Sequence, residues 1–291
     1  MSDMETRGLA SRDTIPLSYD GLSRPYMLQA PAAPDSVHLP LLLELHGRGI
    51  DAERFDRITG LGSLAEEAGF ALALPSALGE IWNDGRDAAP EGRRPNDVGY
   101  LRAVIDDATS RLRLDPQRIY VVGMSNGAAM AGRLACQLAD RIAGIAQVAG
   151  TAGVGIVAGC RPARPVPILS IHGTADNIAP YGGGVRRSLL GHIMIRHAAG
   201  PSVGVDDWAR FWVAVNGAAE DPVVTALPPD TLIRTWRGPT PSSDTAFYRV
   251  EGAGHTWPRS RFALPAVLFG RTSDTFDATR AIWEFLAAHR R

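Results

Sequence analysis

The sequence predicts an α/β protein whose mostly parallel sheet is covered by helices on both faces. Three observations carry that expectation. From residue 40 onward, short apolar or β-branched runs alternate with amphipathic stretches, the pattern of a parallel sheet with crossover helices. Several of those runs end in polar, glycine-rich turns, where α/β proteins put their chemistry. With 291 residues, 45% of them hydrophobic, the chain can bury one large core. Residues 13–291 are expected to form a single domain behind a flexible N-terminus, residues 1–12.

The elements follow in order. Extended stretches at 15–19 and 26–30, separated by Asp20-Gly21-Leu22-Ser23, predict an antiparallel hairpin at a sheet edge. Residues 40–45 are a buried-strand candidate ending in His46-Gly47-Arg48-Gly49. A short helix is expected at 61–68, closed by Gly69, and a strand at 70–74, stopped by Pro75. A polar loop then spans 76–96. Val98, Leu101, Ile105, Ala108 and Leu112 recur at spacings of three and four, so a helix follows, capped by Asn96 or Asp97. Arg118-Ile119-Tyr120-Val121-Val122 is the next strand, and residues 128–138 are rich in helix formers. A strand at 142–148, a Gly/Pro-broken loop at 150–167 and a strand at 168–171 come next. Val185, Leu189, Ile193 and His197 mark a short amphipathic segment, and residues 181–204 are a candidate partial lid. A helix at 205–215 closes at Asn216-Gly217. Strands at 231–236 and 246–250 precede a C-terminal helix marked by Phe276, Thr279, Ile282, Trp283 and Leu286.

Composition narrows the chemistry. A formal net charge of −1 argues against a general nucleic-acid or anionic-membrane binder. All 30 basic residues are arginine, which excludes lysine Schiff-base or lysine-base mechanisms. No apolar run reaches the ~18 residues a membrane span needs, so no membrane insertion is expected. The polar start lacks a leader's apolar segment, which points to the cytoplasm, with a secreted mature form as the alternative. Cys136 and Cys160 are either bridged or unrelated thiols, and neither has metal-ligand spacing. Oligomeric state is not readable.

Gly123-Met124-Ser125-Asn126-Gly127 has the form of a nucleophile elbow, a strand turning sharply into a helix with a serine at the tip. Gly200-Pro201-Ser202-Val203-Gly204 fits the same pattern, but only Ser125 follows an apolar strand. Asp176 and His255 also lie just past predicted strands, and the order Ser, Asp, His is that of α/β-hydrolases. A serine hydroxyl needs a base, imidazole suits that role near neutral pH, and a carboxylate fixes the imidazole's tautomer. His46 and His172 each precede a glycine and are expected to shape turns; His38, His192, His197 and His289 have weaker contexts. Asp206, Asp207, Asp221 and Asp244 compete with Asp176, but only Asp176 directly follows a strong buried strand. The oxyanion donors are expected to be the amides of Asn126 and Arg48, with Gly49 as second choice for the latter. Trp82 and Trp257 are candidates to line an acyl or aryl subsite, with burial in the core as the alternative. Arg93-Arg94 and Arg186-Arg187 read as solvated.

Four motifs together resemble the polyhydroxybutyrate depolymerase-like esterases, a group related to feruloyl and acetyl-xylan esterases. They are Leu45-His46-Gly47, Gly123-Met124-Ser125-Asn126-Gly127, His172-Gly173-Thr174-Ala175-Asp176 and Gly254-His255-Thr256-Trp257-Pro258. Asn96-Asp97-Val98-Gly99-Tyr100-Leu101, Phe211 to Gly217 and Ile282-Trp283-Glu284-Phe285 support it. The resemblance implies the α/β-hydrolase fold, a Ser125/Asp176/His255 triad and no cofactor. It also implies a small or oligomeric ester substrate: short-chain, hydroxyalkanoate, feruloyl or acetyl. Arg48 stands where polymer-degrading relatives often carry a cysteine, and Ala218 where many relatives carry another, which makes a soluble ester the expectation. The alternatives are an amide hydrolase of a poly-acidic or polyester-like chain, an acyltransferase on the same triad, and a non-catalytic binding module.

Overall fold

The computed structural model describes residues 12–32, 36–86, 95–185, 200–262 and 265–291. In chain order its strands are β1 (Asp13–Ile15), β2 (Ser18–Tyr19), β3 (Leu22–Ser23), β4 (Tyr26–Gln29), β5 (Leu39–Leu45) and β6 (Ala71–Pro75). They continue with β7 (Leu114–Met124), β8 (Gly144–Val148), β9 (Ile168–Gly173), β10 (Val223–Leu227), β11 (Thr231–Trp236) and β12 (Thr245–Val250). Helices among the described residues are α1 (Ala52–Thr59), α2 (Leu61–Ala68), α3 (Asp97–Arg111), α4 (Asn126–Gln137), α5 (Val154–Gly159), α6 (Val205–Val215), α7 (Ala266–Phe269) and α8 (Ala278–Ala287). Residues 1–11, Arg93-Arg94, Arg186-Arg187, His192, His197 and most of the lid candidate fall outside the described residues.

Ten strands form one sheet in the order β1-β4-β6-β5-β7-β8-β9-β12-β11-β10. Pairing is parallel from β6 through β12 and antiparallel at both ends. β5 shows why the sequence reads as a continuous apolar run. Leu41, Leu43 and Leu45 enter one core with Tyr100, Leu134 and Trp208, while Leu42 enters the other with Phe55, Leu64 and Ile282. A strand buried on both faces has no solvent side to alternate with. At the N-terminal edge, Asp20 (φ 53°) and Gly21 (φ 77°) make the two-residue turn between β2 and β3. Two positive φ values there match the strands' right-handed twist.

The sequence reading does not anticipate β3, β10, α1, α5 or α7. β10 is an edge strand with Val223 and Val224 exposed, so it lacks the alternation of a half-buried strand. α1 buries Ala52, Phe55, Asp56, Ile58 and Thr59, a stripe whose polar members hide it from an apolar-periodicity reading, and its start is held by the side chain of Asp51, which accepts from the Arg54 amide. α5 is six residues long and lies inside the expected 150–167 loop.

Cys136 and Cys160 are disulfide-bonded. The bridge ties the end of α4 to the residue following α5, and closing a loop of this length contributes about 3 kcal/mol on a chain-entropy basis.

One polar chain crosses the core beneath β5. The Trp257 indole N–H donates to Thr279 Oγ1, whose hydroxyl donates to the Thr59 carbonyl, and the Thr59 hydroxyl donates to Glu44 Oε1 at 2.6 Å. Burial pushes the Glu44 carboxyl well above the usual range, and the negative charge of Asp56 adds to that. In the unfolded chain the same group ionises at its ordinary pKa. The folded state is therefore penalised increasingly as pH rises from the ordinary glutamate range toward the raised folded value. Glu44→Gln keeps the acceptor for Thr59 and removes that penalty. Its melting temperature is expected to exceed that of the parent at pH 8 and to approach it near pH 5, read from two thermal denaturation series.

Candidate active site

Ser125, Asp176 and His255 follow the carboxyl ends of β7, β9 and β12, which are separated in the sheet only by β8. Backbone bonds stitch these ends together. The Ser125 amide donates to Val148 O, the Ala149 amide to Ile171 O and the Thr174 amide to Val250 O. Loops distant in sequence thus share one rim.

Ser125 sits at φ 58°, ψ −116°, a sparsely populated conformation for a non-glycine residue, and caps the start of α4. The flanking glycines permit that turn. A Cβ on Gly123 would lie 2.3 Å from the Gly127 carbonyl oxygen, and one on Gly127 would lie 2.1 Å from that of Leu45. Strand, elbow and the neighbouring turn are in backbone contact, which only glycine allows. Ser125 is half-buried, whereas its surroundings in β7 and α4 are buried. The competing Ser202 is buried and exchanges backbone bonds with Gly184, a structural role.

Asp176 Oδ2 accepts from His255 Nδ1 at 2.8 Å, and both side chains are almost wholly buried. Oδ1 accepts from the amides of Ile178 and Ala179 at 2.8 and 2.7 Å, so both carboxylate oxygens are engaged. Burial alone would raise the Asp176 carboxyl's pKa. The imidazoles of His255 and His172 outweigh it and hold the group well below the usual carboxylate range. The competing aspartates serve elsewhere: Asp206 binds Arg234 and Tyr181, and Asp244 binds Arg237.

His46 is fully buried beneath the turn after β5. Its Nδ1 faces Gly47 O at 2.8 Å and its Nε2 accepts from the Ala77 amide at 3.0 Å, so the ring is neutral and structural. Burial lowers its pKa accordingly. Gly49 donates its amide to Glu80 O, which occupies the second-choice oxyanion donor. Asn126 is the first residue of α4, where a backbone N–H has no partner within the helix.

The two tryptophans expected to line a subsite require correction. Trp82 is 1% exposed and Trp257 is 0% exposed, so neither ring presents surface to a substrate. Trp257 packs edge-on against Phe55 and joins the polar chain below β5. Trp82 is a brace: its indole donates to His46 O, its amide to Asn126 Oδ1, and its carbonyl accepts from Asn126 Nδ2. Asn126 Nδ2 also reaches Asp84 Oδ2 at 2.5 Å, and Asp84 pairs with Arg86. Asp97 then takes the Asn83 amide at 2.6 Å and pairs with buried Arg24 at 2.7 Å. The polar stretch around Trp82 thus holds the elbow and the β5 turn in register. Residue spacing does not announce the links of Asp84 to Asn126 and of Asp97 to Arg24, which join positions far apart in sequence.

Comparisons with known proteins place the chain in a family. The family model described as esterase PHB depolymerase matches residues 24–190, more than half of the chain. NocK of Nocardia uniformis subsp. tsuyamanensis, named as an esterase, is 33% identical over 91% of this chain and 80% of its own. Feruloyl esterase B of Piromyces equi is 32% identical over 63% of this chain, which spans only 33% of that longer protein. Among solved structures, an acetyl xylan esterase from Aspergillus awamori superposes with a TM-score of 0.60 at 13% identity, covering 91% of this chain and 94% of that one. At that identity the likeness speaks for the α/β-hydrolase fold alone. Among the described residues no helix is long and apolar enough to cross a membrane. The chain belongs to the PHB depolymerase esterase family and is a carboxylic ester hydrolase.

Proposed function

We propose that ester hydrolysis proceeds through an acyl-enzyme on Ser125, with His255 as base and then acid and Asp176 as its orienting carboxylate. The observation that carries this reading is the buried 2.8 Å bond from His255 Nδ1 to Asp176. With Nδ1 committed to the carboxylate, Nε2 is the nitrogen that accepts a proton from the Ser125 hydroxyl as it attacks the ester carbonyl. The amides of Asn126 and Arg48 stabilise the tetrahedral oxyanion, helped by the dipole of α4. His255 then protonates the leaving alcohol, and water attacks the acyl-Ser125 ester by the reverse sequence.

The substrate is a soluble carboxylic ester of the short-chain, hydroxyalkanoate-oligomer, feruloyl or acetyl class. A panel of such esters with matched amides tests this. Turnover is expected on at least one ester class and not on its amide, and turnover confined to amides would overturn the reading. The Cys136–Cys160 bridge supports the secreted alternative for the chain's location, since cytosolic thiols are kept reduced. Fractionating the producing cells would find the protein in the oxidising fraction, and recovery in the cytosol with both thiols free would contradict it.

A further inference from the structure

His172 does more than close the turn after β9. Its ring is buried, and its Nε2 faces two acceptors at once, Ala179 O at 2.8 Å and Asp176 Oδ2 at 3.4 Å. Two oxygens on one ring nitrogen require that nitrogen to carry a hydrogen. The other, Nδ1, is buried with no hydrogen-bond partner. Asp176 Oδ2 therefore lies between two imidazoles, His255 on one side and His172 on the other.

The ring is held from behind. Tyr181 meets His172 edge-on with centroids 5.9 Å apart, and the Tyr181 hydroxyl donates to Asp206, which pairs with Arg234. The guanidinium of Arg249 lies 5.7 Å from the Tyr181 ring centre. Among the described residues, His255, Asp176, Tyr181, Asp206, Arg234 and Arg249 are the titratable or charged groups around the His172 ring, its shared carboxylate and its support. The Ala179 carbonyl that His172 engages belongs to the same residue whose amide binds Asp176 Oδ1. One imidazole therefore touches both the carboxylate and the turn that grips its other oxygen.

We propose that His172 is a positioning residue for the ester-hydrolysis triad, fixing the rotation of the Asp176 carboxylate and sharing its Oδ2 charge with His255. The proposal rests on the Ser125/Asp176/His255 reading above. Without the His172 donor, Oδ2 is left with more charge to direct at His255, which favours the protonated, inactive form of that base.

Two variants test it. His172→Phe keeps an aromatic ring against Tyr181 and removes the donor, while His172→Gln retains an N–H near the Nε2 position. For His172→Phe, kcat is expected to fall roughly tenfold with little change in KM, as displacement of a catalytic group produces. The acid limb of its kcat/KM profile is expected to move up by roughly half a pH unit. His172→Gln is expected to return both kcat and the limb toward the parent. If the limb stays fixed in both variants, or if Gln behaves like Phe, His172 merely fills space and the proposal fails. Ser125→Ala, assayed alongside, separates the two levels: if it is active, the triad reading itself has failed.

Discussion

Asp176→Asn is expected to lower kcat by about 10⁴-fold while leaving the protein folded and KM nearly unchanged. The amide oxygen can keep the Oδ1 bonds to the Ile178 and Ala179 amides, so the turn survives. The amide nitrogen then faces His255 Nδ1, a donor where an acceptor stood. His255 responds by carrying its hydrogen on Nε2, the wrong tautomer for a base that must accept from Ser125. The same nitrogen faces the Nε2–H of His172, which adds a second donor–donor contact. Because the Asp176 carboxyl is held well below the usual range, it stays ionised through mildly acid pH. Its stabilising contribution is present above the ordinary aspartate pKa and is lost only as pH falls through the lower folded value. An activity decline in mildly acid solution therefore does not arise from protonation of Asp176. Steady-state kinetics with circular dichroism check the prediction, and a variant retaining a tenth of parental kcat would remove Asp176 from the mechanism.

Gly127→Ala is expected to damage the protein as severely through structure as Asp176→Asn does through chemistry. Its Cβ would sit 2.1 Å from Leu45 O and 2.6 Å from His46 O, and both are backbone atoms that no rotamer change can move aside. Relief requires the start of α4 and the end of β5 to part at the point where they set the elbow against the oxyanion turn. Overpacking a close-packed site usually costs about 1–3 kcal/mol, and rigid backbone on the receiving side raises that to about 4 kcal/mol. For a chain of this size that is a fall in melting temperature of about 10 °C, with activity lost even where folded protein is recovered. A variant as stable and active as the parent would show that the contact is not tight.

The fold was legible because its central strands are buried on both faces. Runs such as 40–45 and 118–122 have few other readings, and the turns ending them mark where the chemistry collects. The elbow was legible for a related reason: a glycine pair around a serine after an apolar strand has a steric meaning that the backbone contacts at Gly123 and Gly127 bear out. β10 and α1 were not legible, since an exposed edge strand and a buried stripe that includes Asp56 and Thr59 show little apolar periodicity. The role of the two tryptophans was decided by burial, which sequence does not report. Trp82 and Trp257 look alike beside a candidate site, yet one braces the Asn126 side chain and the other packs beneath β5. The contribution of His172 depends on a shared carboxylate oxygen and emerges only from distances.

Active-site labelling shows whether the Ser125 hydroxyl supplies the oxygen of the acyl-enzyme. Treated with a fluorophosphonate and digested, the enzyme is expected to carry one adduct, on the peptide containing Ser125, with activity falling in step. Ser125→Ala is expected to take up no label and to hydrolyse no ester. Stoichiometric labelling of a different residue, or ester turnover by Ser125→Ala at the parental rate, would exclude Ser125 as the nucleophile.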